Sequence, residues 1–182
     1  MIDFAKDSIE VDENKGKDMN MITFIRSDDR LIHGQCQTKI IPMNKINRVI
    51  GVDDPTAKNP MLKRIFEMAA PQGVKVTVHT FEDALTPISK CMVNDKRTLI
   101  IARRPSTLLK LYEKFPDLYK EVNVANIPRE GEGFLIRKDI WIDPEQLAAI
   151  KELDKLGVNV YFQQFPGDGA DPLYWKNVKD KY

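Results

Sequence analysis

Only two imidazoles are present in the chain, His33 and His79, and they stand in different company. His33 lies in the run Ser27-Asp28-Asp29-Arg30-Leu31-Ile32-His33-Gly34-Gln35, with Arg26 just before it. A histidine that attacks phosphorus needs one nitrogen free of its proton. The other nitrogen must then hold the proton, and a carboxylate or carbonyl fixes that tautomer. Asp28 and Asp29 both qualify by type. A transferred phosphoryl group also needs donors aimed at its oxygens. Arg30, Arg26 and the amides of Gly34 and Gln35 at a helix start are of that kind, and Gly34 permits a tight backbone path. Each charge-assisted hydrogen bond of this sort is worth roughly 1.5–3 kcal/mol. The same residue types also build ordinary solvated turns, so spacing alone supports a phosphohistidine only weakly.

The elements around this run must position it. Apolar segments of strand length lie at Met21–Ile25, Asn47–Val52, Lys75–His79, Thr98–Ala102, Val122–Ile127 and Val158–Phe162. Most are rich in Val and Ile on successive residues, as strands buried on both faces require. Between them, Asn59–Ala70, Thr80–Cys91, Ser106–Phe115 and Pro144–Leu156 carry helical spacing. Thr80 and Asp143 are placed as N-caps, Pro144 as a first helical residue and Gly157 as a stop. This alternation predicts a single α/β domain: an open, mostly parallel twisted sheet of about six or seven strands with helices on both faces. Gly133–Asp143 breaks the rhythm and reads as a hairpin or an antiparallel edge piece. Ligands of such sheets gather outside the carboxyl ends of strands where strand order reverses, and the His33 run follows the first strand.

From Asp29 to Gln35 the chain resembles the active-site loop of subunit IIB of the mannose/fructose/sorbose-type bacterial phosphotransferase system. Arg48–Asp53 (RVIGVD), Met68–Val74 (MAAPQGV), Leu156–Val158 and Phe165–Asp168 are similar to further pieces of that family, in order. The resemblance implies that His33 takes a phosphoryl group from the phosphohistidine of a IIA partner. It would pass that group to a sugar held by the membrane subunits IIC and IID, generally through the δ1 nitrogen. By the same resemblance Asp29 orients His33, Arg30 neutralises phosphate charge, and the amides near Gly34 and Gln35 add hydrogen bonds. No cofactor or metal is implied. Self-association stays open, since the family shows both monomers and assemblies. If the first strand lies beside the fourth, Arg103 and Arg104 also reach the His33 loop, to bind phosphate or an acidic face of IIA. One departure stands out. Ala125-Asn126-Ile127-Pro128 occupies a stretch where the family often has a Gly pair. It leaves an alternative reading, a phosphorylatable regulatory module that does not pass phosphate to sugar.

Other residues read as structural. His79 lacks an Asp/Arg neighbourhood, Asp53-Asp54 suits helix capping, Cys36 suits a small buried hydrophobe, and Trp141 and Trp175 suit packing. The 182 residues carry 28 Lys+Arg against 27 Asp+Glu, a net charge of +1, which gives no bulk reason to bind nucleic acid or anionic lipid. Nothing approaches the roughly 18–20 apolar residues of a membrane span, and the amino-terminal stretch is no secretory signal, so a cytoplasmic protein is expected; docking at the inner membrane face is what the resemblance implies. Two cysteines out of CxxC spacing make neither a disulfide framework nor a zinc site. Neither GxGxxG nor GxxxxGK[ST] is present, which removes the support for a nucleotide enzyme. Residues 1–20 read as a polar arm or as residues upstream of the natural start, 21–168 as the IIB-like domain, and 169–182 as an aromatic tail.

Overall fold

The computed structural model describes residues 22–93, 96–167 and 169–182, so the amino-terminal arm lies outside the described residues. Nine strands form: β1 Ile22–Ser27, β2 Arg48–Val52, β3 Lys75–His79, β4 Thr98–Ala102, β5 Glu121–Val124, β6 Phe134–Arg137, β7 Ile140–Ile142, β8 Asn159–Phe162 and β9 Leu173–Tyr174. Seven make one sheet in the order β3-β2-β4-β1-β5-β8-β9, the first six parallel and β9 antiparallel to β8. The expected open, mostly parallel sheet is the one observed.

The helices are α1 Ile41–Met43, α2 Asp54–Lys58, α3 Pro60–Met68, α4 Phe81–Cys91, α5 Pro105–Lys114 and α6 Pro144–Lys155. A π turn over Cys36–Ile40 precedes α1. Right-handed crossovers place leftward and rightward connections on opposite faces. Two separate cores result. One joins α4, α5 and α6 to the sheet through Ile88, Leu108, Ile150 and their neighbours. The other covers the opposite face with Leu31, Ile32, Cys36, Ile40 and Phe66.

Local chemistry explains the helix starts. Asp53, Asn59, Thr80 and Asp143 each accept an amide of the first turn, and Pro follows within two residues of three of those caps. The hairpin expected in Gly133–Asp143 forms as β6–β7, standing apart from the main sheet except for one bridge between Ile127 and Ile140. Residues 173–182 fold onto the domain: β9 extends the sheet, Trp175 is buried, and Lys151 Nζ donates to the Tyr182 carbonyl at 2.9 Å. Sequence reading assigned α3 an apolar stripe. In the fold only Phe66 of that helix packs on the core, while Met61, Leu62, Ile65 and Met68 stay exposed.

Candidate functional site

The chain leaves β1 toward one face and β4 toward the other, although the two strands are neighbours. That divergence opens a crevice at their carboxyl ends, and the His33 loop lines it. Arg103 and Arg104 follow β4 directly and face the same loop, as the adjacency of the two strands demands. Asp28 N and Asp29 N donate to the carbonyls of Ala102 and Asn126 at 2.9 and 2.8 Å, so the loop is suspended between the strands on either side of β1. The Ala125–Pro128 stretch therefore borders the site and holds it through a backbone carbonyl, a bond any residue type can make.

Leu31 turns the loop. It adopts a left-handed φ of 51°, unusual for a branched side chain, and its body is fully buried in the second core. Leu31 N donates to Asp28 O at 2.9 Å, closing a tight turn that brings His33 back over Asp28. Asp28 Oδ2 lies 2.9 Å from His33 Nε2 and 2.7 Å from an Arg26 terminal nitrogen. Its Oδ1 accepts the Arg30 amide at 3.0 Å. Burial pushes the Asp28 carboxyl pKa up. The bond to His33, the Arg26 charge and the Arg30 amide outweigh it, holding the group below its ordinary value. An ionised carboxylate only accepts, so Nε2 carries the proton, and in the neutral imidazole Nδ1 is the nitrogen with the lone pair. Among the described residues nothing hydrogen-bonds Nδ1.

Two expectations are corrected here. Asp29, given the orienting role by resemblance, turns away from the imidazole. Its carboxylate faces Arg104 at 3.3 Å and Arg103 at 3.9 Å, and its carbonyl accepts from Arg103. The reason is the turn, which alternates the two side chains and sends only Asp28 inward. Arg26, expected among the phosphate ligands, is fully buried. Its guanidinium is enclosed by Asp28, the Asn123 side chain and the Gln164 carbonyl, so it meets a group on His33 only through Asp28.

The remaining candidates lie in the same loop or follow β4 beside it. Arg30 is held by Asp28 Oδ1 at 3.5 Å and by Gln35 Oε1 at 3.3 Å, with its side chain 41% exposed. Gly34 has ordinary helical backbone, and a Cβ there would meet nothing within 4 Å. No tight path requires the glycine; open space beside His33 is what it leaves. Arg104 pairs with Asp29 and with Glu130 at 3.0 Å, and Arg103 with Asp53 at 3.2 Å. Cys36 is buried, which pushes its thiol pKa up to about 11 and makes it inert. His79 ends β3, three places from β1 in the sheet, where burial lowers its pKa.

Asn123 and Gln164 were not singled out from the sequence. Asn123 leaves a trace there: a lone amide in the run Val122-Asn123-Val124, on a strand buried on both faces, must have a buried partner. Gln164 leaves none, since it acts through its carbonyl.

The chain matches the model of the phosphotransferase-system sorbose-subfamily IIB component over residues 22–181. A probable phosphotransferase enzyme IIB component of Streptococcus pyogenes is 31% identical over 156 residues, covering 81% of this chain and 94% of that protein. The crystal structure of the IIBSor domain of the sorbose permease from Klebsiella pneumoniae has a TM-score of 0.79 at 25% identity, covering 88% of this chain and 96% of that one. The mannose-specific EIIAB component of Escherichia coli is 24% identical over 151 residues, 83% of this chain and 46% of that protein. A switch-point loop and a match of this length agree: the chain belongs to the sorbose-subfamily IIB components, the phosphoryl-transfer subunits of phosphotransferase-system sugar transport.

Proposed function

We propose that His33 is the phosphoryl carrier of this IIB component, receiving the group on Nδ1 from a phosphohistidine of IIA and delivering it to a sugar presented by IIC and IID. The observation that carries this is the contact of ionised Asp28 with His33 Nε2, which leaves Nδ1 as the nucleophile. In the first step the donor's P–N bond breaks as a bond from Nδ1 to phosphorus forms, while Nε2 keeps its proton. Asp28 then faces an imidazole that has become electron-poor, and stabilises it. Arg30, freed from Gln35, and Arg104, beside Asp29, supply positive charge to the phosphoryl oxygens. In the second step the bond to Nδ1 breaks, its electron pair returns to the ring, and the sugar hydroxyl oxygen bonds the phosphorus as its proton passes to water. The EIIAB relative carries a IIA part and a IIB part under one name, which supports IIA as the donor. On this reading the subunit docks at the cytoplasmic face of a membrane, where IIC and IID present the sugar.

Incubation with phosphorylated IIA, followed by addition of membranes holding IIC, IID and sugar, tests both steps. One acid-labile phosphate is expected, absent in His33→Ala and discharged on the sugar. A chain left unmodified by its cognate donor overturns the proposal.

A further inference from the structure

The imidazole of His33 is the end of a chain of polar contacts that is buried at Arg26 and Asp28 and starts at an exposed residue of the β6–β7 turn. Asp139 sits in the two-residue turn between β6 and β7 with a left-handed φ of 61°. Its Oδ2 accepts from Gln164 Nε2 at 2.6 Å, and its carbonyl accepts from Ile127 N at 3.1 Å. Gln164, two residues beyond the end of β8, accepts Arg26 on its own carbonyl at 2.6 Å. Arg26 meets Asp28 at 2.7 Å, and Asp28 meets His33 at 2.9 Å.

Each link has a physical need behind it. Arg26 is a full charge buried in the sheet, and such a charge is tolerable only with its donors directed onto fixed acceptors. The Gln164 carbonyl belongs to a loop, and a loop carbonyl stays in place only if its residue is anchored. Asp139 is the anchor of the Gln164 side chain, beside the bonds that the preceding Gln163 makes to Val124, Asn123 and Ala170. A turn residue at positive φ favours glycine, yet a carboxylate stands here, and glycine has no group to hold Gln164. The Asp139 carbonyl also fixes Ile127, next to Asn126, whose own carbonyl takes Asp29 N at 2.8 Å. One residue of the hairpin is thus bonded to Gln164, which holds Arg26, and to Ile127, the neighbour of Asn126.

We infer that Asp139, acting through Gln164 and Arg26, is a positioning residue for His33, and that the β6–β7 hairpin serves to hold the imidazole's hydrogen-bonded tautomer. The inference rests on the proposed role of His33 for its consequence in transfer, but its geometric part is independent of that role. Nitrogen-15 NMR of the unphosphorylated protein reads the tautomers of the two imidazoles separately, with His79 as internal control. Asp139→Gly suits the turn and removes the anchor, whereas Asp139→Asn tolerates the same backbone and still offers an acceptor to Gln164. In Asp139→Gly, the His33 signals shift toward a mixture of Nδ1-H and Nε2-H forms while those of His79 stay, and phosphorylation by IIA slows about threefold to tenfold. Asp139→Asn restores both readouts. Gln164→Leu, which keeps the backbone carbonyl but cuts the link to Asp139, reproduces the glycine variant and serves where that variant does not fold. A merely structural residue lowers the melting temperature and leaves the His33 tautomer untouched; that result overturns the inference. Wild-type protein that is never phosphorylated, with the tautomer shift still present, instead overturns the proposed role of His33.

Discussion

Asp28 and Arg26 form an ion pair at 2.7 Å in which both side chains are fully buried, and the same Asp28 oxygen takes the His33 imidazole. The pair joins stability to chemistry. Buried charges are costly unless compensated, so what keeps Arg26 in the sheet also keeps Asp28 ionised beside the histidine. Removal of one partner is therefore expected to be far worse than removal of both. Asp28→Ala should lose about 3–5 kcal/mol in urea denaturation, while Asp28→Ala with Arg26→Met recovers much of it. Neither variant should be phosphorylated at the wild-type rate, because neither holds the proton on Nε2. Equal stability of the single and double variants contradicts this account.

The depressed pKa of Asp28 makes a pH prediction of definite sign. Its folded value lies below the unfolded one of about 3.9, so the folded state binds its proton less readily than the unfolded state. The stability it contributes is present in full above the unfolded value. It fades as pH falls toward the folded value. Denaturation midpoints measured from pH 6 downward, with the fall concentrated below roughly pH 5, should drop less steeply in Asp28→Asn than in wild type.

Two histidines make a clean comparison. His33→Ala should abolish incorporation of phosphate from IIA, whereas His79→Ala should keep it, because His79 ends the edge strand β3, three places from β1. Counting phosphate per chain by intact mass under mildly alkaline conditions decides it. Labelling that survives His33→Ala contradicts the assignment.

Arg104 is held by two carboxylates, Asp29 at 3.3 Å and Glu130 at 3.0 Å, and borders the crevice. Its replacement by Ala should slow phosphoryl transfer by roughly tenfold or more, in keeping with one charge-assisted hydrogen bond. Folding stability should change little, since partly exposed pairs contribute little. Single-turnover transfer rates set beside melting curves separate the two effects.

Space is the last variable at the site. Gly34→Ala should leave the fold intact, as helical backbone accepts alanine and nothing lies within 4 Å of the added carbon. The methyl group does enter the open volume beside His33, so transfer from IIA should slow while stability holds or rises slightly. Unchanged rates in the alanine variant contradict a role for that open volume.

Much of this was legible in the sequence, because it rests on local rules. Buried parallel strands read as runs of Val and Ile, N-caps read as Asp53, Thr80 and Asp143, and the hairpin after Gly133 showed as a break in alternation. The reactive loop stood out by residue type alone. The choice between Asp28 and Asp29 did not, since adjacent carboxylates are chemically equal until a backbone turn separates them. The positive φ of Leu31 makes that separation, and it is imposed by burying the Leu31 side chain in a core built from distant residues. Arg26 shows the same division. As a letter before the loop it looks like a phosphate ligand; in the fold it is enclosed by Asn123 and Gln164, from 97 and 138 residues away. Sequence by itself determined the elements and the chemical groups available, because propensity, capping and periodicity act over a few residues. Tertiary structure decided which nitrogen is free, which carboxylate holds it and which arginine is out of reach, because burial and long-range hydrogen bonding exist only once the strands are assembled.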